Sequence, residues 1–218
     1  MILKDKRKTP VMCAFFAENT LSFALREKTK SIHDRIDHRI MSMGLFSSLN
    51  GYRMFLISQY IFHRDVIRIY EDVTLRRLLP DLEARNRFAC IEADMQDLDL
   101  PQPPVSSGDV IPFNPSIAVG WLYVAEGSKL GANILSRMSL ALGLTESFGA
   151  RHLAPAPEGR GQSWKVFKAA IDGAELDRNI CATAAEEAFI RFSRCLDLAQ
   201  KLVAEDGANE KVKSWVAL

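Results

Sequence analysis

GWLYVAEGSKLGANIL, residues Gly120 to Leu135, is the stretch whose reading decides the fold. Its apolar residues recur at helical spacing, yet each of Gly120, Gly127 and Gly131 costs a helix interior about 1 kcal/mol relative to alanine. At about 100° per residue, Gly120, Val124, Gly127 and Gly131 fall within an arc of roughly 60°, with Tyr123 and Met138 beside them. One stripe of the helix is thus nearly bare. Two causes compete for it: close approach of another helix, or a flat, rigid, apolar molecule lying against exposed backbone.

The surrounding sequence is helical throughout. Asn114 and Pro115 supply an N-cap and first-turn pair for this helix, which can run to Leu142 before Gly143 stops it. Thr20 caps an earlier helix through LSFALREKTKSIHDRIDHRIMSM, where Leu21, Leu25, Ile32, Ile36 and Ile40 recur at intervals of three, four and seven. A second long helix follows Asn50 and Gly51; its many apolar residues between Tyr52 and Tyr70 predict burial on most sides. Pro80 and Asp81 open a third, to about Leu98, before the proline-rich surface loop DLPQPPVSSGDVIPF. GARHLAPAPEGRG reads as an ordered loop, followed by a helix over 162–171 and a closing helix over 176–204. No alternating β pattern occurs. The expectation is an all-α single domain of six to eight helices over 20–205, with an N-terminal extension at 1–19 and a C-terminal tail at 206–218.

Composition narrows the functional classes. The 218 residues are 48% hydrophobic, enough for a sizeable core. Twenty-eight Lys and Arg against 27 Asp and Glu leave a formal charge of +1, which argues against nucleic acid or an anionic membrane as partner. Cys13, Cys90, Cys181 and Cys195 form no CxxC pair, so reduced thiols of a cytoplasmic protein are expected. The short apolar run VMCAFFA is followed by Glu18 and Asn19 instead of a small-residue cleavage site, so an extension is expected there, not a signal peptide. No run of 18 apolar residues spans a bilayer.

His33 shares a helix face with Arg26 and Ile36, and Asp37 follows four residues later. Such a histidine is either structural or a ligand. A carboxylate one turn away can take the Nδ1 proton and present Nε2 to a metal, and a single histidine without further ligands nearby points to haem iron over zinc. Arg26, roughly 10 Å along the axis, can reach an anionic tail of the same molecule. Gln59 and His63 share a face of the second helix and read equally as a satisfied buried polar pair or as part of a site. No Glu-x-x-His, HExxH, G-x-S-x-G, P-loop or G-x-G-x-x-G motif is present.

Taken together, SIHDRID, SQYIFHRD, GWLYVAEGSKLGAN and GARHLAPAPEGRGQSW resemble, in order and spacing, the bacterial haem oxygenases of the iron-acquisition type in Gram-negative bacteria. The resemblance runs from about Leu21 to Phe192. It implies a helical domain that holds haem between a proximal helix and a kinked, glycine-rich distal helix. His33 matches the proximal iron ligand and Asp37 its carboxylate partner. Gly127 and Gly131, with Ser128 between them, match the distal segment that meets the porphyrin and O2. Gln59, His63 and Trp164 match a distal hydrogen-bonded network, and Arg26 and Tyr123 match propionate contacts that favour cleavage at the α edge. The implied reaction converts haem to biliverdin, CO and ferrous iron, with O2 as co-substrate. Electrons would come from an external ferredoxin, flavodoxin-like protein or NADPH-dependent reductase. The rival readings are a non-catalytic haem carrier of the same fold and a helical enzyme of small-molecule metabolism.

Overall fold

A computed structural model describes residues 20–104, 111 and 114–216, with side chains to residue 205. Seven α-helices and no β-strands occur among them: α1 Leu21–Ser42, α2 Leu49–Tyr70, α3 Leu75–Leu78, α4 Phe88–Asp97, α5 Pro115–Leu140, α6 Arg160–Asp172 and α7 Arg178–Val216. Short 3-10 turns at Glu83–Arg85 and Arg151–Leu153 join α3 to α4 and α5 to α6. The all-α expectation therefore holds. The N-terminal extension lies outside the described residues.

Local chemistry sets most helix starts where the sequence places them. Thr20 accepts from the Phe23 amide at 3.3 Å, and Asn114 Oδ1 accepts from Ser116 N at 2.8 Å with Pro115 at N1. Helix α2 begins slightly earlier than expected, because Ser48 is its cap and accepts from Gly51 N at 3.1 Å. Helix α5 stops at Leu140, and α7 continues to Val216, beyond the expected end near 204.

The expected helix from Pro80 to Leu98 is wrong over its first half, and the reason is tertiary. Lys129 Nζ donates to the Arg85 carbonyl at 2.6 Å, while the Arg85 side chain is buried against Glu126, Ser163 and Asp81. Those bonds hold the backbone in a 3-10 turn. A new helix, α4, starts only where Asn86 Oδ1 accepts from Phe88 N at 2.9 Å.

Helix α7 is the hub, packing against α5, α2 and α1. Its inner face is built from Cys181, Ala182, Ala184, Ala185 and Ala188, all buried, so a neighbouring backbone can come very near. Helix α2 fills the middle of the core as predicted, burying Tyr52, Phe55, Leu56, Tyr60, Ile61, Phe62, Val66 and Tyr70. Cys90, Cys181 and Cys195 are free thiols, and burial raises Cys181 to about 11 and Cys195 to about 12, which keeps both protonated and inert at neutral pH. Among the described residues no helix is long and apolar enough to cross a membrane.

Candidate functional site

The glycine stripe divides into two parts with different jobs. A Cβ on Gly120 would lie 2.4 Å from the Cys181 carbonyl oxygen and 2.7 Å from the Ala184 Cβ, so this glycine exists for the α5–α7 contact. A Cβ on Gly127 would meet only the Trp164 ring, at 3.6 Å, and one on Gly131 would meet nothing within 4 Å. Close helix approach, one of the two causes weighed from the sequence, accounts for Gly120, while at Gly127 and Gly131 the backbone is left open. Ser128 is exposed between the two open glycines, and its hydroxyl donates to the Ala125 carbonyl at 2.8 Å.

Helix α1 brings His33 and Asp37 together as the i, i+4 spacing predicts. Nδ1 lies 3.3 Å from Asp37 Oδ2, and the imidazole is 52% exposed, braced edge-on by the Phe189 ring with centroids 5.6 Å apart. When Nδ1–H donates to that carboxylate, Nε2 carries the free lone pair. Among the described residues no three His, Cys, Asp or Glu side chains converge as a metal cluster, and of the two exposed histidines of α1, His33 and His38, it is His33 that stands one turn before Asp37.

Tyr123 ties α5 to α1. Its phenol, raised chiefly by burial, is pulled back by the nearby Arg26 charge and by the neighbouring Thr29 hydroxyl of α1. Thr29 precedes His33 by one turn and Tyr123 precedes Gly127 by one turn, so the histidine and the bare backbone each stand about 6 Å along their helices from this link. Trp164 on α6 completes the corner, packing on Tyr123 at 5.3 Å and stacking on Phe167 at 5.4 Å between centroids. Ring packing positions Trp164 here.

Gln59 and His63 are both buried on α2, but the satisfied-pair reading fails for His63, whose Nδ1 has no hydrogen-bond partner. Burial is the main cause that lowers its pKa to about 3, with Lys129, His152 and Arg87 adding like-charge repulsion. His63 is therefore neutral at physiological pH. An unfolded histidine near 6.5 binds protons that the folded one refuses, so the stability this group contributes is complete above pH 6.5 and is lost as pH falls toward 3. From those two values the loss at pH 4.5 is about 2–3 kcal/mol. Urea unfolding at pH 7.5 and 4.5 should show a smaller acid penalty for His63→Gln than for the parent; equal penalties would refute the assignment.

Two features escaped the sequence reading. His152 Nδ1 lies 2.7 Å from Asp94 Oδ2, and Asp94 also accepts from the His152 and Arg151 amides at 2.9 Å, leaving buried His152 Nε2 unpartnered. Behind α5, buried Glu126 accepts from Tyr70 at 2.7 Å, pairs with Arg85 at 3.1 Å and contacts Lys129. The only sequence signal for the latter was a glutamate one turn after Leu122 on the apolar face of the helix.

A family model described as heme oxygenase matches residues 19–201. Heme oxygenase PigA of Pseudomonas aeruginosa is 38% identical over 187 residues, covering 83% of this chain and 93% of that protein. The NO- and CO-bound heme oxygenase of Neisseria meningitidis is structurally similar at a TM-score of 0.79 and 33% identity, over 83% of this chain and 92% of that one. Helical architecture, family match and identity over nearly the whole fold lead to one assignment: the chain belongs to the heme oxygenase family, and is a haem-degrading oxidoreductase.

Proposed function

We propose that residues 20–205 bind haem between α1 and α5, with His33 Nε2 as the iron ligand, and cleave it to biliverdin, CO and ferrous iron for iron acquisition. The observation that carries this reading is His33 itself: an exposed imidazole with Nδ1 engaged by Asp37, on a helix joined within one turn to the helix of the open glycines. The fit is chemical as well as steric. A neutral imidazole suits haem iron, and room at Gly127 and Gly131 suits a planar ring on the opposite side.

Bound haem supplies the redox-active iron that engages O2 and is also the molecule consumed. The chain supplies the surroundings. Arg26 and Tyr123 hold the propionates and so fix the in-plane rotation that selects the α edge. Gly127, Ser128 and Gly131 present backbone where side chains would exclude O2. Trp164 limits how far α5 can move toward α6. Neutral His63, with Gln59, holds water at the unpartnered Nδ1 and passes protons without placing a cation in the site. Electrons come from an external ferredoxin, flavodoxin-like protein or NADPH-dependent reductase, in the cytoplasm.

Titration of the purified protein with hemin, followed by ascorbate or a reductase under air, tests the proposal. The expected result is a histidine-type Soret band that decays as biliverdin absorption grows. A stable ferrous or oxy spectrum would instead identify a haem carrier, and absence of a histidine-type spectrum would remove His33 from its role.

A further inference from the structure

A cavity of about 230 Å³ is walled in part by Trp164, whose ring also faces Gly127, and neither open glycine lines it. It is bounded by the Glu83–Arg85 turn and its flanks, by α5 and by the start of α6. Its charges are unusual for an interior space. Four cations line it, Arg85, Arg87, Lys129 and Arg160, and they are not equally neutralised. Asp81 and Glu126 are committed to Arg85, and Glu126 also to Lys129. Arg160 is held only by neutral acceptors, donating to the Lys129 carbonyl at 3.0 Å and to the Leu153 carbonyl.

Arg87 has no such compensation. Its Nε–H is buried without an acceptor, as is that of Arg85, which is itself only 5% exposed, and Arg87 forms no ion pair among the described residues. The one remaining carboxylate, Glu158, is exposed at the edge. The cations also disturb one another: burial, then Arg87, pulls Arg160 below its ordinary value, and burial with Arg87 and Arg85 does the same to Lys129 against the help of Glu126. Arg87 is half-buried, with Nε–H shielded from water and no carboxylate opposite its guanidinium, a position that an arriving anion would complete.

We propose that this cavity is a binding site for a small phosphate-type oxyanion, distinct from the haem cleft. Guanidinium and ammonium groups reach it from three separate elements, an arrangement suited to the several oxygens of a tetrahedral anion more than to one planar carboxylate. The volume admits inorganic phosphate or a phosphate group on a small molecule. Because Trp164 is a wall of the cavity and also the neighbour of Gly127, occupancy is felt on the distal side of α5 without touching haem.

The test is calorimetric titration of the full chain with inorganic phosphate at constant ionic strength set by chloride, read in parallel by tryptophan fluorescence. The parent is expected to bind one phosphate saturably, with or without haem. Arg87→Gln and Arg160→Gln should each weaken binding at least tenfold, whereas Arg137→Gln, an exposed change on α5 away from the cavity lining, should not. Should Arg87→Gln fail to fold by circular dichroism, Arg160→Gln decides. Non-saturating heats in the parent, unchanged affinity in the folded variants, or saturable binding of citrate with none of phosphate would each overturn the proposal.

Discussion

His33→Ala is expected to abolish the histidine-type haem spectrum and to lower turnover by at least about a hundredfold while leaving the fold intact. The two halves of this result have separate causes. His33 is half exposed, beside the equally exposed Asp37 and against the Phe189 ring, so truncation removes little buried area and leaves no orphaned buried charge. Such a surface change shifts stability by no more than about 0.5 kcal/mol. Loss of the His33 imidazole, by contrast, would remove the proposed iron ligand altogether. Added imidazole should restore both spectrum and turnover in part, because the alanine leaves room for it beside Asp37. Parental turnover in the variant without imidazole would show that iron is held elsewhere, and a collapsed melting curve would show that His33 serves packing.

The same residue shows why part of the site was legible in the sequence. The His33–Asp37 contact is local, set by helical spacing, as are the Thr20 and Asn114 caps, and local chemistry is what a linear sequence records. What failed to appear was tertiary. Pro80 and Asp81 look like a helix start, but Lys129, more than forty residues on, takes the Arg85 carbonyl and unwinds that reading. His152 meets Asp94 across 58 positions, with no spacing rule to connect them. The polar pair on α2 was legible as a pair, yet only packing shows that His63 Nδ1 is left without a partner. The alanine-rich run from Cys181 to Ala188 held a clue to the role of Gly120, since a bare stripe on one helix and small residues on another are complementary.

That complementarity makes a prediction in which neighbouring glycines respond with opposite signs. In Gly120→Ala the new methyl would sit 2.4 Å from a carbonyl oxygen and 2.9 Å from the Ala185 amide nitrogen, both backbone, so α5 and α7 must separate. Overpacking between two main chains costs about 3 kcal/mol, at the upper end for a single methyl, and in a domain of this size lowers Tm by roughly 6–12 °C. Gly131→Ala meets nothing within 4 Å in the protein and replaces the poorest ordinary helix former by the best, so the haem-free form should gain about 1 kcal/mol, or roughly 2–4 °C. Gly127→Ala, in ordinary contact with Trp164, should gain slightly less. The gain reverses once haem is present: the methyls at 127 and 131 point into the proposed cleft, so both variants should bind hemin more weakly or turn it over more slowly than the parent. Melting curves with and without hemin separate the possibilities. Destabilisation of haem-free Gly131→Ala would mean that its open face is covered by protein in solution, and a stabilised variant with unchanged haem binding and turnover would mean that haem does not lie against α5 at that turn.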